Sequence, residues 1–314
     1  MHMRLVVTGG AGFIGSRFVE KCMTNKDMSE AIDSLVVVDK LTYAGNYANI
    51  QHFEADPRFH FIHTDINDRD VLRPYVANSD WVINFAAESH VDRSLSDPTE
   101  FIESNIVGVF NLLELVKESH NVKFLQVSTD EVYGTITKGS WDEQSPLQPR
   151  SPYSASKASA DLLVLAYVTS FGIDGRITRC SNNFGPRQHP EKMIPTIIQH
   201  LKNGTEIPVY GDGNNVRDWL FVDDHVLGIW LTVLNGKSGN VYNLGGGVEY
   251  SNNDLIKEIS KSMRIEVPKV KYVEDRKGHD FRYSLSYQKA KREIGYAPKF
   301  EFGEAIKVLI QQIQ

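Results

Sequence analysis

Tyr153 and Lys157 stand four residues apart, the spacing that puts two side chains on one face of a helix. A phenol titrates near pH ~10 and is a poor base at neutral pH, but a neighbouring ammonium favours the phenolate, which can then take a proton from an alcohol. Spacing alone carries little, because Tyr287 and Lys291 repeat it and read as one face of a surface helix. Context separates the two pairs. Tyr153 opens a helical stretch after a β-branched run that ends Ser128-Thr129-Asp130-Glu131, so one strand end supplies hydroxyls and two carboxylates. A hydroxyl there can bind the same alcohol oxygen as Tyr153. Adjacent acids usually mark a solvated turn. At the carboxyl end of a sheet strand they would instead face the crevice where α/β folds bind ligands, and in unequal surroundings one can act as acid and the other as base.

A second constellation lies at the start of the chain. A strand-like Arg4–Thr8 runs into Thr8-Gly9-Gly10-Ala11-Gly12-Phe13-Ile14-Gly15 and then into a helical stretch. Gly9 permits a tight turn, and Gly12 lets a pyrophosphate approach the helix N-terminus, where unpaired N–H groups favour anions. Gly15 lets the helix pack closely on the strand. In a chain with 23 glycines the pattern gains weight from the strand before it and the helix after it. The second strand ends at Asp39, where a carboxylate binds adenosine ribose hydroxyls and repels the extra phosphate of NADP, favouring NAD; Lys40 softens that preference. Asp65 ends the third strand and reads equally as an adenine contact or a structural turn.

These residues need an open parallel sheet to position them. Arg4–Thr8, Leu35–Asp39, Phe59–Thr64, Trp81–Ala87 and Lys123–Thr129 are nearly all apolar, as in strands buried on both faces. Ser16–Met23, Asp68–Val76, Pro98–Ser119 and Ser154–Ser170 read as the intervening helices, and Ile173–Arg179 and Val241–Leu244 as two later strands. The expected fold is α/β: a doubly wound parallel Rossmann sheet with a smaller, interleaved C-terminal substrate domain. The expected boundaries are residues 1–180 for the Rossmann domain, with a returning segment near 216–249, and residues 181–314 for the second. The chain has 314 residues, is 41% hydrophobic and 24% charged, and carries net charge −6 from 34 basic and 40 acidic side chains. That balance argues against a nucleic-acid or membrane partner. Two cysteines, Cys22 and Cys180, make no disulfide scaffold and no cysteine-only metal site, so free thiols in a reducing cytoplasm are expected. No signal peptide and no membrane span is expected.

The glycine loop, the Asn84-Phe85-Ala86-Ala87 strand end, Thr129, Tyr153 and Lys157 resemble the extended short-chain dehydrogenase/reductase family, and Asn105 matches its supporting asparagine. A closer resemblance covers nearly the whole chain. Asp39-Lys-Leu-Thr-Tyr-Ala-Gly-Asn46, Ala86-Ala-Glu-Ser-His-Val-Asp-Arg-Ser94, Ser128-Thr-Asp-Glu-Val-Tyr-Gly134, Arg179-Cys-Ser-Asn-Asn-Phe-Gly-Pro186, Pro190-Glu-Lys-Met-Ile-Pro195 and Arg217-Asp-Trp219 are similar to the dTDP-glucose 4,6-dehydratase branch of that family. Related epimerases generally carry hydroxyl residues where this chain has Asp130-Glu131, and decarboxylases usually have Ser at the first position.

The resemblance implies an NAD-dependent lyase in which Tyr153 takes the sugar 4-hydroxyl proton while hydride leaves C4. Glu131 then removes the C5 proton, Asp130 protonates the departing C6 hydroxyl, hydride returns to C6, and C5 is reprotonated. The acid role asks Asp130 to hold its proton near neutral pH. The resemblance implies cofactor contacts from Gly9, Gly12, Phe13, Ile14, Gly15, Asp39, Lys40, Asp65, Ile66, Ala86, Tyr153 and Lys157. It implies sugar-nucleotide contacts from Ser89, His90, Asn182, Lys192, Arg217, Asn252, Arg276 and His279, with Arg217 and Arg276 on the diphosphate. His90 reads as support rather than a proton shuttle. Lys277 and Phe281 replace a proline and an arginine of the family pattern, which leaves the base open between thymidine and uridine. A 4-epimerase and a decarboxylase remain the alternative reactions. A homodimer built through the helices 98–119 and 154–170 is implied.

Overall fold

The apolar runs of the N-terminal half become strands because β-branched residues buried on both faces need a ladder on each side. The computed structural model describes residues 2–312. In chain order its strands are β1 (Met3–Thr8), β2 (Ile32–Asp39), β3 (Phe59–His63), β4 (Trp81–Asn84), β5 (Lys123–Thr129) and β6 (Asp174–Cys180). They continue with β7 (Asn182–Phe184), β8 (Ile207–Tyr210), β9 (Val216–Phe221), β10 (Val241–Leu244), β11 (Glu249–Ser251) and β12 (Val270–Val273). Seven of them form one sheet in the order β10-β6-β5-β4-β1-β2-β3. Its β3-β2-β1-β4-β5-β6 run is the Rossmann strand order, and the pairs β1–β2, β2–β3, β1–β4 and β4–β5 are parallel. Both late strands join the sheet as the sequence predicts.

The chain divides into two compact units. The first comprises Met1–Thr129, Ser151–Arg179 and Ile229–Tyr242, the second Asp130–Arg150, Cys180–Gly228 and Asn243–Gln314. The sequence-based boundary at 180 does not mark the excursion at Asp130–Arg150, whose reason is hydrogen bonding. Ile136 and Trp141 donate backbone N–H groups to Arg282 and Ser284, and Tyr133 donates its hydroxyl to Asn243 Oδ1 at 2.9 Å. Contacts 100 residues away in sequence are invisible to local patterning.

In the first unit, helices Arg69–Ala77, Gly108–Glu118 and Pro152–Phe171 bury Leu72, Leu112, Leu113, Val116, Ala160 and Val164 against Val6, Val36, Val82 and Phe124 of the sheet. Each such aliphatic side chain stabilises the unit by about 1.5–3 kcal/mol through its removal from water. In the second, Ile194, Ile197, Ile198 and Leu201 of helix Met193–Asn203 meet Leu255, Ile256 and Ile259 of Asn252–Met263 and Phe302, Ile306 and Leu309 of Phe302–Gln312. Strands β11-β9-β7 and β12-β8 form two small sheets there.

Two elements differ from the sequence pattern. The fourth strand stops at Asn84 rather than Ala87, because Asn84 Oδ1 accepts the Ala86 N–H at 3.1 Å and takes that donor from the ladder. The stretch 98–119 is not one regular helix. Thr99–Ile102 and Gly108–Glu118 flank a π-helical turn at Glu103–Val107, in which Asn105 is buried. Such widened turns are frequent at functional sites.

Candidate active site

The first unit carries a dinucleotide cradle. Gly9 has φ +68°, a left-handed conformation, and a Cβ there would sit 2.5 Å from the Ala86 backbone nitrogen. A Cβ on Gly15 would lie 2.2 Å from the Gly9 carbonyl oxygen, so helix and loop touch backbone to backbone. Gly12 caps helix Phe13–Thr24; a Cβ there would meet nothing closer than 3.4 Å, leaving room above the turn. The first turn, Phe13 and Ile14 included, has no acidic residue and no side-chain cap. Those N–H groups suit an anion.

Asp39 shapes the adjoining end of β2. Its Oδ2 accepts the Ala11 N–H at 2.9 Å and its Oδ1 the Leu41 N–H at 2.8 Å, while burial pushes its carboxyl above the ordinary value. Each oxygen keeps a second lone pair for a ribose hydroxyl. Lys40 lies 3.1 Å from Asp65 Oδ2 and 3.7 Å from Glu100, so its charge is matched by carboxylates and does not invite a 2′-phosphate. Asp65 Oδ1 also accepts the Asn67 N–H at 2.9 Å, as a turn former does. Ile66 is buried where Gly108 makes room for its side chain.

The carboxyl ends of β1, β4 and β5 are tied by a buried polar row: Thr8 Oγ1 donates to Asn84 Oδ1 at 2.5 Å, and Asn84 Nδ2 to Gln126 Oε1 at 2.9 Å. Thr129 ends β5, buried. Helix Pro152–Phe171 starts on a Ser151/Ser154 capping box with Pro152 in its first turn, which fixes the positions of Tyr153 and Lys157. Both are buried, and Lys157 Nζ donates to the Val127 carbonyl at 2.7 Å, tying the helix to the strand that bears Thr129. Asn105 joins two segments: its amide exchanges hydrogen bonds with Glu88 N and O and donates to Ser156 Oγ at 2.9 Å. Ser89 and His90 follow on the segment Asn105 holds, and His90 Nδ1 accepts the Arg93 N–H as a helix cap. That capping task fits support rather than proton shuttling.

The second unit begins at Asp130, in a turn of 3-10 helix over Asp130–Tyr133. Asp130 is 2% exposed. Burial pushes the Glu131 carboxyl above its ordinary value, while Arg217, Lys192 and Arg276 pull it down and Asp280 pushes it up. Glu131 therefore shares one electrostatic cluster with three of the expected substrate ligands. Asn182 lies on β7 beside Trp219 of β9, and its side-chain oxygen is buried with no hydrogen-bond partner among the described residues. Lys192 precedes helix Met193–Asn203 and Asn252 opens Asn252–Met263. His279 Nδ1 pairs with Asp275 Oδ1 at 2.6 Å, and burial pushes its imidazole below the ordinary value while Asp275 pulls it up. A carboxyl, three cations, an imidazole and an unmet amide oxygen supply both the donors and the acceptors that a polyhydroxylated diphosphate would use.

Sequence reasoning missed two aromatic partners of these arginines. Arg276 Cζ lies 4.3 Å from the Tyr210 ring centroid, and Arg217 Cζ 4.4 Å from that of Tyr283. The one local signal was Tyr283 inside the Asp275–Tyr283 stretch; Tyr210 reads only as a strand residue before a glycine turn.

A family model described as GDP-mannose 4,6 dehydratase matches residues 6–309. The chain belongs to this 4,6-dehydratase family. Among the relatives of this dehydratase is a dTDP-glucose 4,6-dehydratase of Actinoplanes sp., 48% identical over 305 residues, covering 97% of this chain and 95% of that one. The crystal structure of DesIV, a dTDP-glucose 4,6-dehydratase from Streptomyces venezuelae with NAD and TDP bound, matches with TM-score 0.96 at 47% identity. That match covers 99% of this chain and 96% of DesIV. A UDP-glucose 4-epimerase from Thermotoga maritima, at 29% identity and TM-score 0.90 over 99% of this chain and 98% of its own, shares the fold. Fold alone therefore does not choose the reaction.

Proposed function

We propose that the chain is an NAD-dependent dTDP-glucose 4,6-dehydratase, converting dTDP-glucose to dTDP-4-keto-6-deoxyglucose with loss of water. The observation that carries this reading is the Asp130-Glu131 pair at the end of the strand bearing Thr129, with Glu131 among Arg217, Lys192 and Arg276. An alcohol dehydrogenase has no use for that pair, because Tyr153 already handles the hydroxyl proton. Elimination of water uses both.

The cradle of Gly9, Gly12, Phe13, Ile14 and Gly15 with Asp39 fits NAD, which when bound supplies a hydride acceptor for C4 and a hydride donor for C6. Tyr153, beside the Lys157 ammonium, takes the proton of the 4-hydroxyl, and Thr129 holds the same oxygen. A ketone at C4 acidifies the C5 proton. Glu131 removes it, Asp130 delivers a proton to the C6 hydroxyl, which leaves as water, and C5 regains a proton as C6 is reduced. Arg217 and Arg276 hold the diphosphate, with Asn182, Lys192, Asn252 and His279 around it.

Two finer points belong to the same reading. The first unit leaves Ile102 and Phe110 exposed near its π turn and Leu162 exposed on the Tyr153 helix, apolar surface that supports a homodimer through those helices. No helix among the described residues is long and apolar enough to cross a membrane, and the two free thiols are buried, which supports a reducing cytoplasmic setting.

Incubating the purified protein with dTDP-glucose and, separately, UDP-glucose tests the function by mass spectrometry. Loss of water from dTDP-glucose is expected. Loss from neither sugar would sink the reading, and loss from UDP-glucose alone would correct the base. Light scattering on the same sample tests the dimer.

A further inference from the structure

Arg217 is constrained on several sides within the second unit. Its Nη1 donates to the carbonyl oxygens of Val216 at 2.8 Å and Phe281 at 3.3 Å, and its Nη2 to that of Asp280 at 2.9 Å. A guanidinium has five N–H donors. Three are spent on main-chain carbonyls, leaving the Nε–H and one Nη2–H. The guanidinium also lies 4.4 Å from the ring centroid of Tyr283, which covers one of its faces.

Tyr283 is held in turn. It is 5% exposed, and its hydroxyl donates at 2.7 Å to Oδ2 of Asp280, whose Oδ1 lies 3.5 Å from Arg150 Nη1. A tyrosine so deeply placed is costly unless its hydroxyl finds an acceptor, and here the acceptor sits on the segment whose carbonyls also bind Arg217. Ring, carboxylate and carbonyls thus form one frame around the guanidinium.

We infer that Tyr283 is a positioning residue, whose ring, anchored by Asp280, sets the plane of Arg217 so that its two remaining donors present a fork to the diphosphate. The inference rests on the sugar-nucleotide reading for its ligand, and it assigns Tyr283 no contact with substrate. A ring that merely fills space would matter to stability alike with or without Arg217. A ring that orients a cation matters to ligand affinity only while the cation is present.

A double-mutant cycle separates these, read by calorimetric titration of the purified protein with TDP. Tyr283→Met is expected to weaken TDP binding about tenfold and to raise KM for dTDP-glucose by a similar factor, with kcat changed less than about threefold. Tyr283→Phe, which keeps the ring but loses its bond to Asp280, is expected to fall between wild type and Tyr283→Met in TDP affinity. In an Arg217→Ala background the Met replacement is expected to have no further effect on TDP. Pentafluorophenylalanine at position 283 keeps the ring's shape and reverses its quadrupole, so it serves if Tyr283→Met does not fold, and it is expected to reproduce the Met loss. Equal losses with and without Arg217, or wild-type TDP affinity in the fluorinated protein, would overturn the inference. Wild-type protein that binds TDP but eliminates no water refutes the dehydratase reading and leaves the cycle decisive for Tyr283. Wild-type protein that binds neither TDP nor UDP overturns both.

Discussion

Removing one carboxylate oxygen from the first unit tests how the helix bearing Tyr153 and Lys157 is held. Asp161 lies on helix Pro152–Phe171 two turns beyond Tyr153, and its Oδ2 accepts from Arg179 Nε of β6 at 2.8 Å. The side chains are 0% and 3% exposed. Asp161→Asn keeps the shape and deletes the charge, leaving the guanidinium buried beside a neutral amide. Breaking a buried pair from one side costs about 3–5 kcal/mol, because the surviving charge has lost its water and now its counter-ion. The first unit has roughly 170 residues, which at about 2.1 cal/mol/K per residue gives an unfolding entropy near 0.36 kcal/mol/K. A loss of about 4 kcal/mol then lowers Tm by about 11 °C if that unit melts by itself, and by about 6 °C if the whole chain melts as one.

Differential scanning calorimetry reports both the shift and the number of transitions, and urea unfolding gives the free energy. Replacing both partners, Asp161→Leu with Arg179→Met, is expected to cost at least about 2 kcal/mol less than the sum of the two single changes, since no charge is stranded. A fall of less than about 2 °C for Asp161→Asn would refute the reasoning, as would strict additivity. Either result would mean that Arg179 is neutralised elsewhere.

Gly15→Ala is expected to abolish or weaken NAD affinity at least tenfold, because its Cβ would lie 2.2 Å from the Gly9 carbonyl and push the helix off the loop; fluorescence titration with NADH checks it. Lys192→Ala removes a cation that lowers the Glu131 carboxyl in the free protein, so the acid limb of kcat/KM against pH is expected to move to higher pH; a limb that moves lower or stays would sink the proposed base. Asp218 is pushed from the ordinary 3.8 to about 6, chiefly by burial. A folded value above the unfolded one means the native state binds the proton more tightly. The associated stability is present in full below pH ~4 and lost as pH rises through about 6, by about 3 kcal/mol. Urea unfolding of wild type and Asp218→Asn across that window should show the gap between them changing by that amount, and a constant gap would contradict it.

Most of the sheet was legible because both-faces-buried strands leave an unbroken β-branched signature, and the glycine loop because strand, turn and helix occur in order. The acid pair was legible for the same reason, since the end of β5 is marked on one side by the apolar run and on the other by the Gly134 turn. What escaped is long-range. The π turn around Asn105 has no local breaker, and its purpose shows only in the bonds to Glu88 and Ser156. The passage of Asp130–Arg150 into the second unit depends on Arg282, Ser284 and Asn243. Tyr210 carries no pattern that distinguishes an arginine platform from a core aromatic, and Tyr283 only its place in the Asp275–Tyr283 stretch.

The cations of the second unit serve two demands that pull against each other. In the proposed reaction a diphosphate draws on Arg217, Lys192 and Arg276, yet the same charges stabilise the Glu131 carboxylate and so would weaken it as a base. Burial acts the other way, and Asp280 with it. In the free protein these influences compete. Once the phosphates occupy the cations, their field at Glu131 is largely cancelled, while burial and Asp280 remain, so the carboxylate becomes more basic when there is a C5 proton to remove. The acid limb of kcat, which belongs to the complex, should therefore lie above that of kcat/KM, which belongs to the free enzyme. A chain of net charge −6 needs no basic surface for this; under the proposed reaction it needs three cations near one half-buried carboxyl.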